Sequence, residues 1–217
     1  MPRGTRIMIS RAPERPWPHP GAILCGGRSE RMGVPKAGML LPDGRSMLER
    51  TRDMLESFCG RVLLLGDAHG VAGHQCIKDL RPDAGPLGAI ESLLESGIAS
   101  QYLVVPCDLP LLPAALLARL LAGDEDGMTC FEAPGDERIG VLPCRIGTEC
   151  LDEVRDLLDA GEGSVSRLVD RLGPDATRIP LAAREIDLLM NVNTPEDFER
   201  VCRLMRRDSG SDDIEGT

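Results

Sequence analysis

Aromatic side chains are scarce in this chain: one tryptophan, one tyrosine and three phenylalanines make up 2% of its 217 residues. Its core must therefore be aliphatic. Positive charge is also in deficit. Lys and Arg number 25 against 35 Asp and Glu, a net charge of -10 and a pI near 4.8. A duplex DNA or RNA binder shows the opposite balance, so no nucleic-acid partner is expected. A nucleotide site in so acidic a chain has to gather its cations locally. None of the eight cysteines forms a C-x-x-C pair, which excludes the usual zinc spacings and fits reduced, mostly buried thiols in a cytoplasmic protein. No apolar run is long enough for a membrane helix or a signal-peptide core, so no membrane partner is expected either. The three histidines (His19, His69 and His74) make no ligand or triad pattern. A length of 217 residues suits one well-buried domain.

Against these absences stands the segment 22–36, Ala-Ile-Leu-Cys-Gly-Gly-Arg-Ser-Glu-Arg-Met-Gly-Val-Pro-Lys. A short apolar strand runs into Gly26 and Gly27, and Arg28, Arg31, Gly33 and Lys36 follow closely. Glycines bare the backbone N–H groups, and the cations surround them, which suits a polyphosphate. The bland alternative is a surface turn with solvated charges. Lys36 precedes Ala37 rather than Ser or Thr, so this is not a Walker A loop, and the G-x-G-x-x-G dinucleotide fingerprint is absent.

Strand and helix signals alternate along the rest of the chain. The apolar runs predict strands at 22–25, 62–65, 75–77, 102–106, 127–131, 139–143 and 186–192. Helices are predicted at 47–58, 87–96, 113–121, 148–159, 164–172 and 195–206, the first with a Ser46/Glu49 capping box and the last with Thr194-Pro195 at its start. Alternation of this kind implies an α/β domain in three αβα layers, Rossmann-like, around a mostly parallel mixed sheet. The domain is expected over 21–206. An Arg- and Pro-rich arm would precede it at 1–20, and a polar acidic tail would follow at 207–217. Ligands in such sheets bind at the carboxyl ends of the strands. That rule brings segments 26–36, 79–88, 106–110 and 191–194 to one edge.

Tyr102-Leu-Val-Val-Pro-Cys-Asp-Leu-Pro110 carries a buried strand into an aspartate set between two prolines. Asp108 is thus a candidate Mg²⁺ ligand, or else the cap of a turn. Asp79 ends a short strand, and Gly85-Pro86-Leu87-Gly88 bends tightly into a helix, where the backbone could meet a base or ribose. Asn191 and Asn193, two apart, could complete a metal shell and touch substrate, or merely belong to the helix start.

Together these motifs resemble the molybdenum cofactor guanylyltransferase family, and more broadly the glycosyltransferase-A-like nucleotidyltransferases. The likeness spans about residues 21–205. The family's Leu-Ala-Gly-Gly, Arg-Met-Gly and Lys correspond to Leu24-Cys25-Gly26-Gly27, Arg31-Met32-Gly33 and Lys36. Its Gly-Pro-Leu matches Gly85-Pro86-Leu87, its Pro-Cys-Asp-x-Pro matches residues 106–110, and its Asn-Val-Asn-Thr-Pro-Glu matches residues 191–196. The resemblance implies that Leu24, Cys25, Gly26 and Gly27 line a nucleotide, GTP for this family. Lys36 would meet its phosphates, Asp79 and the Gly85-Pro86 turn its nucleoside, and Asp108 the Mg²⁺; of the two asparagines, Asn193 is taken as the second candidate metal ligand. The acceptor implied is molybdopterin, in a monomer or small homo-oligomer. Arg31, Lys36 and Asp108 would be the catalytic groups. The chain departs from the family where Cys25 replaces alanine and where Pro35 replaces aspartate. The related cytidylyltransferases carry Pro-Lys there. It also lacks an asparagine at 65–67 and a His-Pro pair at 139–140. A cytidylyltransferase, a sugar-phosphate nucleotidyltransferase and a non-catalytic nucleotide-binding module remain as alternatives.

Overall fold

The computed structural model describes residues 17–25, 36–66, 75–122, 127–133 and 140–209, with only the backbone of Lys36, Asp208 and Ser209. Seven strands form one sheet in the order β3-β2-β1-β4-β6-β5-β7. They are β1 (Gly21–Leu24), β2 (Val62–Leu65), β3 (Gln75–Ile77), β4 (Gln101–Pro106), β5 (Met128–Glu132), β6 (Cys144–Gly147) and β7 (Ala176–Pro180). Strands β3, β2, β1 and β4 are parallel, β6 is antiparallel to both β4 and β5, and β7 is parallel to β5. Only β6 therefore runs against the rest.

Among the described residues there are seven α-helices: α1 (Met47–Phe58), α2 (Gly85–Glu95), α3 (Ala114–Leu120), α4 (Leu151–Asp159), α5 (Val165–Leu172), α6 (Ala183–Ile186) and α7 (Pro195–Ser209). Alternate residues of each strand face opposite sides of the sheet. Ala22, Leu24, Leu63, Leu65, Tyr102, Val104, Cys130, Cys144 and Ile146 pack with α2, α4 and α5. Ile23, Leu64, Leu103, Val105 and Phe131 pack with α1 and α3 on the other side. This is the expected three-layer α/β architecture, and its core is mostly aliphatic, with Tyr102, Phe58 and Phe131 buried in it. Each fully buried Leu, Ile or Val contributes about 1.5–3 kcal/mol.

Helix starts follow local sequence chemistry. Ser46 Oγ accepts the Glu49 N–H at 3.1 Å while the Ser46 N–H donates to Glu49 Oε2 at 2.7 Å. That capping box satisfies donors that the first turn of α1 would otherwise leave open. At α7, Thr194 Oγ1 accepts the Asp197 N–H at 3.1 Å, and Asp197 Oδ2 accepts the N–H groups of Thr194 and Asn193 at 2.9 and 3.0 Å.

Two strand expectations fail. No strand occupies the described part of 139–143, and β6 begins at Cys144 instead. Pro143 has no N–H to give a ladder, so pairing starts one residue later. Segment 186–192 is not a strand either. It holds the end of α6, a single 3₁₀ turn (Asp187–Leu189) and an irregular stretch. Its apolar residues are buried without a ladder: Leu189 joins the face of α1 and α3, and Val192 a small third cluster with Leu41, Met47 and Val201. The last strand lies instead at β7, whose Ala-Thr-Arg-Ile-Pro sequence carries only a weak apolar signal. Strand β7 forms by pairing along its whole length with β5. At the ends, Trp17 is tied to the domain by its N–H to the Phe58 carbonyl at 2.7 Å, and α7 continues through Ser209.

Candidate active site

The register of the parallel strands sets the site. Ile77, Leu65, Leu24 and Pro106 are successive partners across β3, β2, β1 and β4. The loops that leave these four strands therefore start from one row at the carboxyl edge. Backbone hydrogen bonds carry the row outward. The Gly66 N–H donates to Ile77 O at 3.1 Å, Cys25 N–H to Leu65 O at 3.1 Å, and Cys107 N–H to Leu24 O at 3.2 Å. Asp108 comes just after β4, half-buried, and its carbonyl accepts the Val192 N–H at 2.9 Å. That bond brings the Asn191–Asn193 stretch to the Asp108 turn, with Val192 anchored in the core between the two asparagines. Segments distant in sequence thus converge on the edge that the strand order alone predicts.

Leu24 is buried at the end of β1, and Cys25 is half-buried behind it. Burial pushes the Cys25 thiol up to about 12, with the nearby Cys76 adding to the effect. The thiol is therefore protonated at neutral pH and donates a weak hydrogen bond to Ile23 O at 3.5 Å. Cys25 is part of the wall rather than a nucleophile. Gly26, Gly27 and Arg31 lie outside the described residues. Lys36 re-enters as the first residue of a 3₁₀ turn, Lys36–Gly38.

Asp79 is exposed just beyond β3. The turn after it is held to α2: Leu80 N–H donates to Ser92 Oγ at 2.8 Å, and Arg81 Nε donates to the buried Glu91 at 3.1 Å. Asp83 at φ 60° and Gly85 at φ 72° both take the left-handed conformation, which short polar residues and glycine tolerate best. A Cβ on Gly85 would sit 3.1 Å from the Gly163 carbonyl oxygen, and one on Gly163 only 2.4 Å from that of Ala84. The Gly163 carbonyl also accepts the Leu87 N–H at 3.2 Å, satisfying a first-turn donor of α2. The α4–α5 connection, Gly161-Glu-Gly-Ser164, is thus built against the Gly85-Pro86 turn. Sequence reasoning missed this element. Its signal was the repeated glycine between two helices.

Each of the two candidate ligands has the donor type that a small hard cation takes. Asp108 offers a carboxylate and Asn193 an amide, both oxygen ligands. Among the described residues no group of three or more His, Cys, Asp or Glu side chains is placed to cage a metal. A cation held by one carboxylate and completed by substrate phosphates is the ordinary Mg²⁺ arrangement. Among those residues, too, no helix is long and apolar enough to cross a membrane.

Known proteins share both the sequence pattern and the fold. The family model for the MobA-like NTP transferase domain matches residues 21–176. The molybdenum cofactor guanylyltransferase of Xanthomonas euvesicatoria pv. vesicatoria is 34% identical over 87% of this chain and 95% of its own length. That of Sinorhizobium fredii is 29% identical over 87% and 92%. Among solved structures, the molybdopterin-guanine dinucleotide biosynthesis protein A of Archaeoglobus fulgidus has a TM-score of 0.71 at 19% identity, covering 87% of this chain and all of that one. The 2-C-methyl-D-erythritol 4-phosphate cytidylyltransferase of Thermus thermophilus has a TM-score of 0.65 at 17% identity, over 85% and 98%. At such identities the last two speak for the fold alone.

Proposed function

The chain belongs to the MobA-like NTP transferase family and is a nucleotidyltransferase, and from that premise we propose that it moves GMP from GTP onto the terminal phosphate of molybdopterin, with Mg²⁺ at Asp108 and Asn193. One observation carries the reading. Cys107 N–H to Leu24 O at 3.2 Å and Val192 N–H to Asp108 O at 2.9 Å bring the backbone at Asp108 and at residues 191–193 to the end of β1. The relatives' names support the choice of base and acceptor.

In this reaction an acceptor phosphate oxygen attacks the α-phosphorus of the triphosphate. A new P–O bond forms, the bond from the α-phosphorus to the bridging oxygen of the β-phosphate breaks, and pyrophosphate leaves with that electron pair. The nucleophile is already anionic and needs no general base. The protein's work is to hold two anions together and to offset the charge that grows between them. Leu24, Cys25, Gly26 and Gly27 line the nucleotide, while Asp79 and the Gly85-Pro86 turn hold its nucleoside. Lys36 and Arg31 meet the equatorial oxygens and the leaving pyrophosphate. The metal, when held by Asp108 and Asn193, supplies further charge neutralisation to the phosphate oxygens.

The test is pyrophosphate release with each nucleoside triphosphate in turn, Mg²⁺ and molybdopterin as acceptor. GTP is expected to turn over best. Faster turnover with CTP would replace the guanylyl reading by the cytidylyl one that Pro35-Lys36 resembles. Nucleotide binding and turnover that ignore Mg²⁺ would remove the metal from the scheme.

A further inference from the structure

The Asp108 loop is held by more than the sheet. Segment 39–46, which follows the Lys36–Gly38 turn, folds back on itself. Leu41 N–H donates to Arg45 O at 2.8 Å, Gly44 N–H to Leu41 O at 2.9 Å and Met47 N–H to Met39 O at 3.1 Å, and Leu40 bridges Ser46. Asp43 sits at the tip, held by Arg45 through Nη2 at 2.7 Å and Nε at 3.1 Å. Arg50, in the first turn of α1, spans the space from this tip to the Asp108 loop. Its Nη1 donates to Asp43 Oδ2 at 2.9 Å, and its Nε donates to the Pro110 carbonyl at 2.8 Å, two residues after Asp108.

We propose that Arg50 is a positioning residue for nucleotidyl transfer, fixing the Asp108 loop against the Asp43 turn. The inference rests on reading Asp108 as a metal ligand. Three features single Arg50 out. A cation in the first turn of a helix faces the positive end of the helix dipole, so Arg50 is not there to stabilise α1. Its two bonds leave different nitrogens of the guanidinium, Nε to the Pro110 carbonyl and Nη1 to the Asp43 carboxylate, a spread of donors that a single ammonium nitrogen does not have. The carbonyl it holds belongs to the segment that carries Asp108, which is also tied through the Cys107 N–H to Leu24 O and the Val192 N–H to Asp108 O bonds. Loss of Arg50 removes the side-chain tether at the Pro110 end of the loop that carries the carboxylate. Small displacements of a group that orients phosphates cost large factors in rate.

The experiment compares Arg50→Met, Arg50→Lys and Asp43→Asn with the parent. Mn²⁺ binding is titrated in the presence of a non-hydrolysable GTP analogue, alongside analogue binding without cation, kcat, KM and thermal melting. Arg50→Met is expected to weaken Mn²⁺ binding about tenfold and to lower kcat roughly tenfold to a hundredfold. Cation-free analogue binding should not change. Arg50→Lys should recover part of the loss, and Asp43→Asn, which leaves the Pro110 bond in place, should lose less than Arg50→Met. Mn²⁺ affinity unchanged in both Arg50 variants overturns the proposal whatever happens to kcat. A parallel fall of melting temperature and of both binding constants also overturns it, since that is a structural role alone. Asp108→Ala separates the two levels. If it binds Mn²⁺ and turns over like the parent, the metal reading fails and takes Arg50's role with it. If it loses both while Arg50→Met does not, only the Arg50 inference fails.

Discussion

The parallel half of the sheet, β3-β2-β1-β4, and the mixed half, β6-β5-β7, are built from similarly short strands, yet only the first runs all one way. In the parallel half every strand leaves the sheet at the same edge, in the row Ile77, Leu65, Leu24 and Pro106. The residues beyond that row include glycine, cysteine and aspartate, small or polar. In the mixed half β6 runs the other way, so its carboxyl end lies at the opposite edge from that of β4. What this half offers the sheet is packing. Cys130 and Cys144 are direct partners on β5 and β6, Ile146 and Met128 are fully buried, and Arg145 is buried with Nη2 on Thr129 Oγ1 at 3.1 Å. Burial drives the Cys130 thiol up to about 11 and the Cys144 thiol well above its ordinary value, so neither acts as a nucleophile. The lesson is directional: in an α/β sheet chemistry collects where strands end together, and a reversed strand is spent on cohesion.

Substitutions can break or sharpen that contrast. The largest effect is expected from Asp108→Ala, with turnover down about a thousandfold or more if the carboxylate and the cation proposed for it are both lost. Steady-state pyrophosphate release measures it. Lys36→Ala should cost roughly tenfold to over a hundredfold, the worth of a hydrogen bond to a charged group, and a turnover equal to the parent's would deny Lys36 its charge role. In the other half, Ile146→Ala should leave KM and the turnover of folded molecules alone while lowering stability by about 2–5 kcal/mol in urea denaturation. A change in its Mg²⁺ requirement would dissolve the contrast between the halves.

The smallest effect is an acid one, centred on the turns around the site. For Asp43 and Asp197, burial pushes each carboxyl up, but hydrogen bonds and neighbouring arginines outweigh it. The partners are Arg45 and Arg50 for Asp43, and Asn193, Thr194 and Arg200 for Asp197. Both carboxyls therefore lie below their ordinary 3.8 in the folded chain. The unfolded chain binds protons first as pH falls, so this contribution to stability is complete above about 3.8 and fades as pH drops through the lowered values. Thermal melting between about pH 5 and pH 2 should show the parent losing stability over that window, and Asp43→Asn losing less of it.

Particular elements show how far the sequence could be read. Helices α1 and α7 were legible because Ser46/Glu49 and Thr194/Asp197 are local devices, satisfied within one turn of chain. The strand ends at Leu24 and Pro106 were legible because glycine and proline punctuate them. Strand β7 was not. Its Thr-Arg-Ile core is half-buried and is a strand only because β5 lies beside it. Segment 186–192 misled for the converse reason, since Leu189 and Val192 are buried by helices and loops without any ladder.

From the sequence alone came the alternating α/β plan, the aliphatic core, and the residue types that a phosphate and a hard cation need. All of these rest on short-range patterns, where period, capping and turn chemistry act within a few residues. Tertiary structure alone decided that β6 is reversed, that the Gly163 carbonyl closes the start of α2, and that Arg50 bridges Asp43 to Pro110, which lies 60 residues on from Arg50. Those contacts are backbone and side-chain hydrogen bonds between segments far apart in the chain. Their partners exist only once the sheet has fixed which ends lie together, and no local pattern carries that information.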